Sequence, residues 1–88
     1  MEKFYRVYVI QNPDGRFYIG LSDDPERRMV EHNTGVSKWT KGKGPWTLVW
    51  TSEAKSLTAA RQLENLLKKQ KGGDGFFRLT RLRRSSGS

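Results

Sequence analysis

Arg6-Val7-Tyr8-Val9-Ile10-Gln11-Asn12-Pro13-Asp14-Gly15-Arg16-Phe17-Tyr18-Ile19-Gly20 is the stretch that decides the fold. Two β-rich runs, Phe4 to Ile10 and Phe17 to Leu21, flank a turn at Pro13-Asp14-Gly15. Pro13 presets φ, Asp14 suits the next turn position, and Gly15 tolerates the left-handed conformation. A type I turn with Gly15 at a bulge makes a short hairpin loop, closed by Asn12 against Arg16. Counting back from it, Ile10 faces Tyr18 and Tyr8 faces Gly20. The two phenols become diagonal neighbours on one face, and Gly20 leaves room above Tyr8. A slip of one residue would put them on opposite faces.

Beyond the hairpin, Asp24 caps a helix that Pro25 opens and Glu26 supports through the dipole. The helix runs to about Asn33 and stops at Thr34-Gly35. Arg28 and His32 lie four apart on one of its faces. A basic, glycine-bearing loop from Val36 to Pro45 follows. Trp46 to Thr51 reads as a third strand, with Trp46, Leu48 and Trp50 on one side. Ser56 caps a second helix reaching about Gln70, with an apolar stripe of Leu57, Ala60, Leu63, Leu66 and Leu67. Phe76 to Leu82 reads as a short final element. The order β-β-α-β-α describes an α/β fold, a small antiparallel sheet flanked by helices. Residues 1–82 read as one domain and 83–88 as a loose tail.

The 88 residues carry 17 Lys and Arg against 9 Asp and Glu, a formal charge of +8. That imbalance favours polyanionic partners, nucleic acid foremost. The chain has no cysteine, which excludes disulfides and thiolate zinc sites. No apolar run is long enough to span a bilayer, and the N-terminus lacks the apolar region of a signal peptide, so the expected location is cytoplasmic.

Few side chains are suited to chemistry. Glu64 borders the apolar stripe, where a carboxylate must be paired with Arg61 or Lys68, exposed at an edge, or bound to a cation. One carboxylate with open water positions suits Mg²⁺. His32 is the single histidine, one turn from a guanidinium that can clamp phosphate. In the loop, Lys38, Lys41 and Lys43 surround Trp39, a pattern for gripping phosphates and stacking a base. Phosphate-loop and dinucleotide fingerprints are absent.

Together these positions resemble the GIY-YIG nuclease domain. Arg6-Val7-Tyr8 stands where that family has Gly-Ile-Tyr, and Tyr18-Ile19-Gly20 matches the second half of its signature. Arg28 falls at the family's catalytic Arg, His32 where members carry His or Tyr, and Glu64 at the metal-binding Glu. The resemblance covers about residues 3–71 and is strongest to small stand-alone bacterial members. It implies a three-stranded antiparallel sheet and metal-dependent endonucleolytic hydrolysis with Mg²⁺ or Mn²⁺ on Glu64. Tyr8 would take a proton from the attacking water, aided by Tyr18, by His32 as a relay, or by Arg28. DNA is the expected substrate, with a partner protein or a dimer for targeting. Two positions depart from the family: Arg6 replaces the first glycine, and Asp74 stands where an Asn is usual. The alternative is a non-catalytic nucleic-acid-binding module on the same fold.

Overall fold

The computed structural model describes residues 3–35, 42–71 and 73–82. Its elements are β1 (Arg6–Gln11), β2 (Phe17–Ser22), α1 (Pro25–Asn33), β3 (Thr47–Thr51), α2 (Leu57–Gln70) and α3 (Asp74–Thr80). The α/β architecture expected from the sequence is present, with one more helix at the end. The expected C-terminal tail lies outside the described residues.

The sheet order is β2-β1-β3, with both neighbours antiparallel to β1. β2 and β3 therefore run parallel to each other, and the chain must cross β1 between them. α1 lies on that crossing and touches all three strands.

The hairpin closes as its turn chemistry dictates. The Asn12 N–H donates to the Arg16 carbonyl at 3.1 Å, and the Arg16 N–H donates to Asn12 Oδ1 at 2.9 Å. Gly15 adopts φ 84°, a value that a residue with a Cβ rarely takes. The register pairs Tyr8 with Gly20 and Ile10 with Tyr18. The first strand starts later than expected. Tyr5 makes an isolated bridge with Lys55, and Phe4 is exposed.

β1 is central and covered on both faces, so Val7 to Ile10 are all buried. Val7, Val9, Phe17 and Ile19 pack with Ala60, Leu67 and Phe76 under α2 and α3. On the other face, Tyr8, Ile10 and Trp46 pack with Tyr18, Met29 and Leu48 under α1. Both cores are small, and the rings of Phe17 and Phe76, 5.0 Å apart, tie α3 to the first of them.

Two expected faces are corrected. The register of β1 against β3 shifts between Val9 and Ile10: Ile10 opposes Leu48 while Val9 opposes Trp50. Val49 is the extra residue of this bulge, and it breaks the alternation. Trp46 and Leu48 remain on the α1 side, whereas Trp50 packs with the α2 core. On α2 the buried line is Ala60, Glu64 and Leu67, with Leu63 partly buried beside it. Leu57 and Leu66 are exposed, because the helix rests on the sheet along a narrow strip in which Ala60 allows close approach.

The Tyr8 ring, hydroxyl included, lies directly over Gly20, where a Cβ would collide with Oη, Cζ and Cε1. Gly20→Ala is therefore expected to displace the ring and to lower unfolding free energy by about 1–3 kcal/mol in urea denaturation. Unchanged stability would contradict this close approach.

Candidate active site

Tyr8 comes from the centre of the sheet, and its position over Gly20 carries the phenol across edge strand β2. α1 supplies Arg28 and His32. The helix is set by the Asp24 cap, whose Oδ1 accepts the Arg27 N–H at 3.2 Å, by Pro25 in the first turn, and by Gly35 at φ 84° beyond its end. The i,i+4 spacing then puts both side chains on the face turned to Tyr8.

Tyr8 Oη and His32 Nε2 are 2.9 Å apart, and each residue is 1% exposed. Burial, the largest influence, pushes the Tyr8 phenol up to about 12; a hydrogen bond from Arg28 and its charge oppose that rise. The charges of Tyr18 and Glu64 act in the same direction as burial, which brings those residues into the same electrostatic neighbourhood. Burial also holds the His32 pKa below its ordinary value, reinforced by the Arg28 charge and partly offset by Glu31. Both members of the pair are consequently neutral at pH 7.

Tyr18 is half-buried and sets its ring edgewise to His32, with centroids 4.8 Å apart. On its other side it meets Trp46 at 6.4 Å. Arg28 Nη1 lies 2.6 Å from Glu31 Oε1. This bond is the leading cause of an Arg28 pKa above its already high ordinary value.

Glu64 is 7% exposed, and Lys68 Nζ lies 3.2 Å from Oε2 and Arg61 Nη1 3.9 Å from Oε1. Both pairings considered from the sequence therefore occur, on a carboxylate that is nonetheless buried. Among the described residues no group of three or more His, Cys, Asp or Glu is placed to hold a metal. A divalent cation would find a single hard oxygen donor here and would complete its shell with water and phosphate oxygens, a mode that fits Mg²⁺ or Mn²⁺.

Tyr8, Tyr18, Arg28 and His32 thus come together from β1, β2 and α1, and Glu64 on α2 is joined to them through its charge, which acts on the Tyr8 phenol. Of the expected nucleic-acid contacts, Lys43 is exposed at the end of its loop, while Lys38, Trp39 and Lys41 lie outside the described residues. Asp74 is the exposed first residue of α3, where its charge suits the helix dipole.

Three side-chain roles escaped the sequence reading. Glu31 holds Arg28, and its i,i+3 spacing was the available signal. Asn33 Nδ2 donates to the Trp46 carbonyl at 3.0 Å, and its Oδ1 accepts the Trp46 N–H. Asn12 Nδ2 donates to the Lys43 carbonyl at 3.1 Å. The two asparagines fix the returning end of the basic loop beside Tyr18, and no local pattern announces such long-range clamps.

This arrangement belongs to the GIY-YIG family: the family model described as GIY-YIG catalytic domain matches residues 4–75. The chain is a member of a nuclease-domain family, with the sheet and helices that such a domain requires. It is similar to a UPF0213 protein of Aeromonas hydrophila, 40% identical over 65 residues that cover 73% of this chain and 48% of that protein. A UPF0213 protein of Halobacterium salinarum is also 40% identical over 65 residues, covering 73% of this chain and 84% of the relative. The structure-specific endonuclease subunit slx1 of Xenopus laevis is 47% identical over 57 residues, 56% of this chain and 20% of that protein. The chain thus spans about half the length of the Aeromonas relative. No solved structure matches.

The His32 environment has a consequence for stability. Its folded pKa lies below the ordinary 6.5, so the unfolded chain takes up the proton first as pH falls. Its contribution is whole above pH 6.5 and is lost as pH drops toward the lower folded value. Denaturation between pH 7 and pH 5 is expected to show stability falling with pH, with a His32 contribution bounded by about 1.4 kcal/mol per pH unit, that His32→Gln flattens. Equal slopes in the two proteins would contradict the burial of a neutral imidazole.

Proposed function

We propose that this domain is an endonuclease that hydrolyses phosphodiester bonds in DNA with one divalent cation, Mg²⁺ or Mn²⁺, held by Glu64. The observation that carries the reading is the buried Tyr8–His32 pair at 2.9 Å, with Arg28 and Glu64 acting on the same phenol.

A free Tyr8 phenolate is a costly species here. With a pKa of about 12, forming it at pH 7 costs ~7 kcal/mol. Arg28 has only donors, so its hydrogen bond occupies a lone pair of the phenol oxygen. The phenol proton then points to Nε2 of a neutral His32 that carries its own proton on Nδ1. As water attacks phosphorus, Tyr8 accepts the water proton and passes its own to Nε2. The net transfer runs from water to imidazole, and no separated phenolate forms. Tyr18 holds the imidazole ring from its edge. Arg28 faces the phosphate and offsets charge growing on its oxygens, using donors of its planar fork that Glu31 and Tyr8 leave free. Glu64 would hold the divalent cation, whose chemistry there would be Lewis-acid charge stabilisation of the phosphodiester. Lys38, Trp39, Lys41 and Lys43 are assigned to the strand outside the reacting phosphate.

The slx1 relative is named a structure-specific endonuclease subunit. Branched DNA is accordingly the first substrate to try, and a targeting partner or a second copy of the chain is part of the proposal. A binding module without catalysis is the second reading. It is favoured by the near-complete burial of Tyr8 and by Asp74 at the position of the family Asn.

Supercoiled, branched and single-stranded DNA, incubated with Mn²⁺ or with chelator and separated on a gel, test the reading. Cleavage by wild type with metal is expected, with Tyr8→Phe reduced about 10²–10⁴-fold and Glu64→Ala inactive while folded. The acid limb of the rate profile should titrate below pH 6.5, where His32 becomes charged. Robust Mg²⁺-dependent cleavage by Glu64→Ala would overturn the metal assignment. Salt-dependent binding without any cleavage would select the second reading.

A further inference from the structure

Two adjacent stripes of α1 serve different parts of the sheet. Arg28 and His32, four apart, face Tyr8. Met29 and Asn33 each follow one residue later and reach the β3 side, since successive helix positions diverge by about 100°. The Leu48 N–H donates to Met29 Sδ at 3.1 Å. One turn on, Asn33 engages both backbone groups of Trp46, donating to its carbonyl at 3.0 Å and accepting its N–H. These bonds set the height and rotation of α1 against β3, and with them the direction of the neighbouring Arg28 and His32.

Asn33 is an exposed residue, so holding its amide in one geometry costs conformational entropy. The fold nevertheless commits both ends of that amide to a single residue far along the chain. The approach is close: a Cβ on Gly44 would lie 3.1 Å from Asn33 Oδ1 and 3.1 Å from Trp46 Cδ1. Trp46 is buried, and its ring lies 6.4 Å from that of Tyr18. Tyr18 in turn meets His32 edgewise at 4.8 Å. Asn33 therefore bears on the imidazole from two sides, through the helix backbone and through the rings of Trp46 and Tyr18. The titratable groups that face His32 are Tyr8 of β1, Tyr18 of β2, and Arg28 and Glu31 of α1. A substitution at Asn33 alters none of them.

We propose that Asn33 is a positioning residue: by clamping Trp46 against Tyr18 it holds the His32 imidazole in line with the Tyr8 hydroxyl. The inference rests on the nuclease reading above and deepens it by assigning a residue that reading leaves without a role in proton transfer.

The test combines ¹⁵N NMR titration of His32 with cleavage kinetics in Mn²⁺. In Asn33→Ala water gains access to the ring, so the His32 midpoint is expected to rise toward 6.5. Its kcat should fall about 10–100-fold, the scale of a displaced reacting group, with KM within about twofold of wild type. Thr34→Ala removes the adjacent hydrogen bond to the Glu31 carbonyl and leaves Trp46 clamped, so midpoint and kcat should stay at wild-type values. Trp46→Leu keeps the backbone clamp and removes the ring, and it should reproduce the rise in midpoint. A wild-type midpoint in Asn33→Ala or in Trp46→Leu would overturn the role. Equal changes in Asn33→Ala and Thr34→Ala would also overturn it, because fraying of the helix end would then suffice. A change confined to KM in Asn33→Ala would overturn it too, since the clamp would then serve only the basic loop. Absence of cleavage by wild type would overturn the nuclease reading, while the NMR midpoints would still decide whether Asn33 positions the ring.

Discussion

The passage of the Tyr8 ring across Gly20 is the constraint on which the site depends. Tyr8 lies on the central strand, where a side chain is ordinarily sealed between neighbours. Opposite a glycine on the edge strand it can lie flat and carry its hydroxyl outward to meet α1. The Pro13-Asp14-Gly15 turn sets this opposition by fixing the register, and a shift of one residue would place Tyr8 in the wrong core. Backbone conformation at Gly15 and missing volume at Gly20 thus act together on one phenol.

Around that phenol the charges are arranged with little redundancy. Burial makes Tyr8 a weak acid and His32 a weak base, so each remains neutral beside the other. Arg28 is charged at any working pH, and its contact with Glu31 holds the guanidinium in place. Glu64 keeps its carboxylate buried only because Lys68 and Arg61 reach over it. A buried carboxylate held by two cations that are themselves more than half exposed depends on those two contacts for its charge compensation.

Much of this was legible in the sequence because it is local. Asp24, Pro25 and Gly35 bound α1, the turn residues fix the hairpin, and i,i+4 spacing joins Arg28 to His32. What stayed hidden depends on tertiary fit. Nothing in Thr47–Thr51 signals a bulge at Val49, since no glycine or proline marks it, so Trp50 was read onto the wrong face. Leu57 and Leu66 fit a helical stripe by period, yet the sheet is too narrow to cover them. Asn12 and Asn33 were read as turn and helix-end residues, while their side chains clamp backbone at Lys43 and Trp46, far along the chain.

The chain has a single histidine, so ¹⁵N NMR of the imidazole reports on His32 without ambiguity. The account predicts a neutral ring at pH 7, with Nδ1 protonated, Nε2 bearing the lone pair that Tyr8 Oη addresses, and a titration midpoint below 6.5. A ring protonated at Nε2 and not at Nδ1, or a midpoint above 6.5, would contradict it, because His32 could then not receive the Tyr8 proton.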